Sequence, residues 1–451
     1  MKKLPQEYLE RMKKILGSGF SLYEASFNEP PVKAFRVNTD KISLADFEKI
    51  NPFSKDKIPF VENGYYLGAE KIGNHPYHHA GMIYIQEPAA MAPAECLDIK
   101  EDWKILDMCA APGGKSSQLK NKLGKKGILV SNEIISSRCK ILMGNIERLG
   151  LENTVVTCMD TARLVKTFGP VFDMIMVDAP CSGEGMFRKE DSAIDEWSLQ
   201  NVHKCAARQT EILENAVKLL KDGGYIVYST CTFSLEENEM VVDAFLQNHP
   251  DFELLPVNER VKNASVDGIR FEGCVCENIA FARRFYPHIS KGEGQFAALL
   301  HKKGEIGFAT NPAFARKNPE KTVTDFLDST LTDYDIEKVT MYNGNPVYFS
   351  GKISLKDGDA LSCGVTIGEV RKNYVQPHHQ FFMALGKKFK RKIELPPESA
   401  ELAKYLHGEE ISADCENGWA VVMVNGCAVG GAKVVSGVAK NHYPKGLRTM
   451  H

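Results

Sequence analysis

No run of 18 consecutive apolar residues occurs in this 451-residue chain, so a membrane-spanning helix is not indicated. Its first residues, Met1-Lys2-Lys3-Leu4-Pro5-Gln6-Glu7, carry charge where an export signal would have an apolar core. Cysteine is present twelve times but scattered. Cys274 and Cys276 form the one tight pair, and no second pair sits at zinc-ligand spacing, so no metal site is expected. Scattered cysteines without an export signal imply reduced thiols and a cytoplasmic location. A dominant charge is also missing: 56 Lys and Arg stand against 58 Asp and Glu, a net of −2, which by itself does not announce a nucleic-acid partner. Internal repeats and low-complexity tracts are absent. What remains, 43% hydrophobic and 25% charged residues, is the composition of a globular protein. The length calls for two to four domains.

The distribution of charge says more than its sum. Lys387, Lys388, Lys390, Arg391 and Lys392 form one basic run, and residues 428–451 carry Lys433, Lys440, Lys445 and Arg448 with no acid. Two such stretches near the C-terminus point to a phosphate-facing surface. Residues 1–95 read as a small α/β module: a helix from Pro5 to Leu16, a strand at Ala34–Asn38, and a helix from Ser43 to Ile50. Between 96 and 305, short apolar runs at 104–107, 127–130, 154–156, 174–177 and 225–228 alternate with helical stretches such as Ser136–Leu149 and Arg208–Leu220. That alternation predicts right-handed crossovers and a mainly parallel, doubly wound sheet. Residues 306–380 read as a small linking module, and 381–451 as a strand-rich domain with 418–426 a strand entering a turn.

In a doubly wound sheet ligands bind beyond the carboxyl ends of the strands, and three segments carry chemistry there. After the first strand, Cys109-Ala110-Ala111-Pro112-Gly113-Gly114-Lys115 opens a helix whose free N–H groups and paired glycines suit a close ligand. The loop lacks the Gly-x-Gly-x-x-Gly spacing of a dinucleotide site, which argues against a nicotinamide enzyme. Glu133 ends the second strand, where an acid accepts bonds from ribose hydroxyls, and Asp160 ends the third, on the adenine side. Asp178-Ala179-Pro180-Cys181-Ser182-Gly183 ends the fourth strand and Ser229-Thr230-Cys231-Thr232 the fifth. Either cysteine alone would be a core residue by ordinary preference. Together, over one crevice with Asp178, they form a candidate nucleophilic pair. Ser234-Leu235-Glu236-Glu237 resembles a capping box, and a helix N-terminus beside Cys231 would favour its thiolate. Adjacent histidines at 78–79 and 378–379 are not expected to bind metal, and Trp197 and Trp419 are expected to pack.

These motifs, together with Phe35-Arg36-Val37-Asn38-Thr39, Tyr84-Ile85-Gln86-Glu87-Pro88, Asp178 to Lys189 and Lys440 to Arg448, resemble the Sun-type RNA cytosine-C5 methyltransferases, in particular the bacterial RsmF type that acts on 16S ribosomal RNA. The likeness runs nearly end to end and is weakest over 310–375. It implies a Rossmann-like S-adenosyl-L-methionine methyltransferase core of α/β class, a small α/β N-terminal RNA-binding module and a C-terminal PUA-like RNA-binding module. It implies that Cys109 to Lys115, Glu133, Asp160 and Asp178 contact the cofactor, that Asp178 also reaches the cytosine, and that Arg138 matches a family arginine of open role. It further implies Cys231 as the nucleophile and Cys181 as the cysteine of product release. Chemistry alone does not decide between the two, because DNA cytosine methyltransferases use the Pro-Cys cysteine. The expected partner is RNA, 16S rRNA or the 30S subunit, bound by a monomer. Transfer RNA as substrate, and a non-catalytic ribosome-assembly factor, are the alternatives.

Overall fold

The computed structural model describes residues 3–68, 70–305, 314 and 316–449. The start of the linking segment, 306–313, lies outside the described residues. Helix Gln6–Leu16 lies where the spacing places it, but it and Phe20–Ser26 do not pack on the N-terminal sheet. Tyr8, Met12 and Tyr23 instead enter an apolar cluster with Phe187, Trp197 and Phe233, beside the loops that carry the two cysteines. The N-terminal sheet itself has three antiparallel strands, β1 (Lys33–Val37), β2 (Gly64–Leu67) and β3 (Ile83–Ile85), in the order β2-β1-β3.

The central sheet is the predicted doubly wound one. Strands β4 (Lys104–Asp107), β5 (Ile128–Asn132), β6 (Thr154–Thr157), β7 (Phe172–Asp178) and β8 (Leu220–Thr230) run parallel in the order β6-β5-β4-β7-β8. Both faces are buried, as a sheet covered by helices requires. Ile105, Leu129 and Met174 go to one core, Leu106, Val130 and Ile175 to the other. Beyond β8 the sheet turns antiparallel through β9 (Phe252–Leu255), β10 (Val266–Asp267), β11 (Arg283–Phe285) and β12 (Gln295–Lys302), with β12 the neighbour of β8. Helix Ser136–Leu149 has its expected bounds. The helix expected from Arg208 starts earlier, at Leu199, where the Ser198 side chain caps it by accepting from Asn201 N.

Sequence order hides two features of the later segments. Ser362–Cys363 pairs antiparallel with β6, so the linking segment forms the outer edge of the central sheet. The C-terminal five-stranded sheet includes Gly418–Val424 and Cys427–Val435, joined by an Asn425-Gly426 turn in which both residues have positive φ, the geometry of a tight hairpin. Its apolar face shares one core with the N-terminal module: Phe35, Phe47 and Tyr65 meet a cluster that includes Tyr405, Val422 and Ala432. Lys41 is buried at this junction and donates to the Met383 carbonyl; burial lowers its ammonium pKa to about 8. Asn425 Nδ2 donates to the Tyr77 hydroxyl at 2.8 Å, and His79 Nδ1 and Tyr443 Oη lie 2.9 Å apart.

Candidate active site

The parallel register sets β7 and β8 side by side, with Asp178 opposite Ser229, so the chain leaves both strands at one edge. There Cys181 Sγ and Cys231 Sγ are 3.3 Å apart. The hydrogen bond to Cys231, and then burial, hold the Cys181 thiol well above the usual thiol range; either sulfur can be the donor in this pair. Asp178 is the hub beside them. Its Oδ2 accepts from Lys115 Nζ at 2.8 Å, and its Oδ1 accepts from Ser229 Oγ at 2.7 Å and Gln295 Nε2 at 3.3 Å. Burial works against the Lys115 ammonium, but Asp178 outweighs it and raises the lysine's pKa. The ion pair therefore links the loop after β4 to the loop after β7.

Two buried carboxylates hold the cysteine loops. Glu184 accepts from Trp197 Nε1 at 2.8 Å, from Ser234 Oγ at 2.7 Å and from Phe233 N at 2.9 Å. Glu237 accepts from Ser182 N and from Gln209 Nε2, both at 2.9 Å, and from the Ser182 hydroxyl. Burial raises the Glu237 pKa to about 7. Gly185 donates its N–H to the Cys231 carbonyl at 2.8 Å, and a Cβ there would lie 2.8 Å from that oxygen, so only glycine lets the loops approach this closely. The expected capping box is not what forms. Ser234 makes no cap bond, because its hydroxyl is taken by Glu184; Glu237 is taken by Ser182 and Gln209; and after a single 3₁₀ turn the next α-helix begins only at Glu239. The helix N-terminus argument for a Cys231 thiolate therefore has no basis in the fold.

Beside Asp178 lies a cavity of about 240 Å³, lined by Cys109, Ala110, Ala111, Pro112, Gly114, Lys115 and Asp178. Gly113 sits behind this lining at φ +110, with Leu142 3.2 Å from where a Cβ would be. The cavity also touches Asp107, Tyr84 and Gln86, which sequence reasoning did not single out as site residues. Asp107 is fully buried. Its Oδ2 accepts from Ser116 Oγ at 2.6 Å, while Oδ1 has no hydrogen-bond partner. Burial, only partly offset by Ser116, raises its pKa to about 7. A buried acceptor left open in a cavity marks a place for a ligand donor. Gln86 is placed by Arg36, whose Nε donates to Gln86 Oε1 at 2.9 Å while NH2 donates to Gly114 O and Ser117 Oγ. The N-terminal module thus grips the loop after β4.

Glu133 and Asp160 do not line this cavity. Glu133, 3% exposed, accepts from Ile135 N at 3.0 Å and pairs with Arg138 at 3.2 Å. Asp160 is exposed and caps helix Thr161–Phe168 by accepting from Arg163 N. The signals that would have found Asp107, Glu184 and Glu237 were present: Glu184 and Glu237 lie inside quoted stretches and Asp107 beside one, but only burial shows that each has work there.

Residues 94–301 match the model for the 16S rRNA methyltransferase RsmB/F, residues 4–88 the N-terminal domain of the 16S rRNA methyltransferase RsmF, and residues 392–449 the methyltransferase RsmF PUA domain. The ribosomal RNA small subunit methyltransferase F of Aeromonas salmonicida is 31% identical over 98% of this chain and 97% of its own length. The chain belongs to the RsmB/F family. A second relative of the same description, from Aeromonas hydrophila, is 38% identical over 66% of this chain and 64% of its own. Among solved structures, a methyltransferase homolog protein from Pyrococcus horikoshii superposes with a TM-score of 0.58 at 30% identity, over 66% of this chain and 95% of that one. The NSun6 of the same organism, determined with SFG, has a TM-score of 0.57 over 67% and 99% at 23% identity, a likeness of fold. RsmB/F membership makes the central sheet an S-adenosylmethionine methyltransferase core, and the residues fit that cofactor: an open carboxylate, a glycine-lined loop and a strand-end acid surround one crevice.

Proposed function

We propose that this protein methylates carbon 5 of a cytosine in 16S rRNA, in the cytoplasm, with Cys231 as covalent nucleophile. The observation that carries this reading is the 3.3 Å approach of two cysteine sulfurs beside Asp178. Asp107, Cys109 to Lys115, Glu133 and Asp178 would hold S-adenosylmethionine, which supplies an electrophilic methyl group when bound. The ribose would share or replace the bonds that Glu133 now makes to Arg138 and Ile135.

Carbon 5 of cytosine is a poor nucleophile. When the Cys231 thiolate adds to carbon 6, a C–S bond forms and the π electrons of the 5,6 bond move toward carbon 5 and the N3 edge. Asp178, which accepts from Lys115 and Ser229, would accept from the 4-amino group of that edge and orient the base, while the Lys115 ammonium it holds would offset the developing charge. After carbon 5 is methylated it loses its proton to water in the crevice, the 5,6 double bond re-forms and the C–S bond breaks, returning the electron pair to Cys231. The S–H of Cys181 lies next to the departing sulfur and donates to it. Bisulfite sequencing of ribosomal and transfer RNA from cells with and without the protein tests the substrate. One or more 16S cytosines should lose protection in its absence; loss confined to transfer RNA, or no change, overturns the reading.

Asp107 offers a second test. Its open oxygen would take the ammonium of the cofactor's methionine part, which requires the carboxylate ionised. With a pKa raised to about 7, ionisation is lost as pH falls through neutrality, so cofactor affinity should weaken in that range. Calorimetry on Asp107→Asn should show affinity about tenfold weaker, about 1.4 kcal/mol, and far less dependent on pH. Unchanged affinity in the variant would remove Asp107 from the site.

A further inference from the structure

A cavity of about 720 Å³ lies away from the catalytic cysteines, where the core, the linking segment and the C-terminal sheet meet. The core contributes Met143 and Glu147 from helix Ser136–Leu149. The linking segment adds Asn345 and the partly exposed rim residue Leu361, and the C-terminal domain adds Lys445 and Arg448.

Three observations mark it as a built site. First, buried polar atoms on its walls lack partners: His379, 7% exposed, leaves Nδ1 unbonded, and Arg448 leaves Nε unbonded. Second, the Glu147 carboxylate faces it with no ion-pair or hydrogen-bond partner among the described residues, and burial raises its pKa to about 7. Third, its walls combine apolar surface from Met143 and Leu361 with cations at one end, the mix that takes a flat base and its phosphate together.

Position supplies the rest. The helix that borders this cleft through Met143 and Glu147 touches the cofactor loop with its other face. Arg138 NH2 donates to Ala111 O at 3.0 Å, and Asn145 Nδ2 to Pro112 O at 2.9 Å. Nine residues from 138 to 147 span about 13 Å at 1.5 Å each, a distance that a few nucleotides of one strand cover. We propose that this three-module cleft holds an unpaired nucleotide of the substrate RNA, its phosphate on Lys445 and Arg448 and the N–H edge of its base on Glu147. The proposal rests on RNA being the substrate. It deepens that reading by giving the PUA domain a positioning role shared with the core, rather than a tether of its own.

The test compares the intact protein with Met143→Trp, which fills the cleft without changing charge, Lys445→Ala, and Glu147→Gln. Binding of a 16S rRNA transcript is read by fluorescence anisotropy across a salt series, with single-turnover methyl transfer at saturating RNA and cofactor affinity by calorimetry. Met143→Trp and Lys445→Ala should each weaken RNA binding about tenfold. Lys445→Ala should lower the salt slope by about one, and Met143→Trp should leave it unchanged. Cofactor affinity and the rate at saturating RNA should stay at the parent values. If Met143→Trp proves unstable, Glu147→Gln carries the test with a loss of about fivefold. RNA affinities within twofold of the parent in all three variants would overturn the proposal while leaving the RNA substrate intact. So would a fall in the saturated rate without a fall in affinity. A parent protein that does not bind the transcript would instead overturn the substrate reading itself.

Discussion

Cys231→Ala is expected to abolish methyl transfer, a loss of more than about 10³-fold or about 4 kcal/mol of transition-state stabilisation. The sulfur supplies a bond, not a contact: without it carbon 5 is never made electron-rich, and no neighbouring group takes its place. Cys181 is 3.3 Å away, but the hydrogen bond to Cys231 and burial hold its thiol well above the usual thiol range. The substitution removes one half-buried sulfur from a loop held by Glu184, Glu237 and the Gly185 N–H, so the fold and cofactor affinity should persist. Incorporation of labelled methyl into 16S rRNA or 30S subunits, with calorimetry on the same preparation, measures both. Turnover within tenfold of the parent would remove Cys231 from the nucleophile's role.

Cys181→Ser should do the opposite to the covalent species. A residue that acts only when the C–S bond breaks is not needed to form that bond. The variant should therefore attack, methylate and stall, leaving a protein–RNA complex that survives denaturing electrophoresis. Product release should slow by at least about a hundredfold, the lower end for a positioned proton-donating group. Combining it with Cys231→Ala should remove the complex. A cysteine that merely packs predicts lower stability and no trapped complex. If Cys181→Ser blocks attack while Cys231→Ser traps the complex, the two roles are exchanged.

Much of this architecture was legible along the chain because its signals are local. The alternation of short apolar runs with amphipathic helices specifies a doubly wound sheet, since both faces of each strand must be buried. Residues at the ends of β4, β5, β7 and β8 were readable as site candidates for the same reason: strand ends in such a sheet share one edge. Asn425-Gly426 announced its hairpin through the two residue types that most readily take positive φ.

What could not be read depends on partners distant in sequence. Ser234 and Glu237 have the spacing of a capping box, but Glu184 and Ser182, about 50 residues upstream, compete for the same groups and win in a buried setting. Asp107 looked like the end of a strand; only its burial with one oxygen unpaired makes it a ligand for something else. The modules read in series along the chain are joined in space, with Phe35 and Tyr65 sharing a core with Tyr405 and Val422. Truncating the C-terminal domain would strip that core and confound any test of RNA binding, so single substitutions in the cleft are the cleaner probe. The sequence alone determined which residues form each strand end and which of them carry reactive groups, because periodicity and turn chemistry act over a few residues. The tertiary structure decided which of those groups meet, which are protonated beside a neighbour and which are left open, because contact, burial and charge pairing are set only when distant segments pack together.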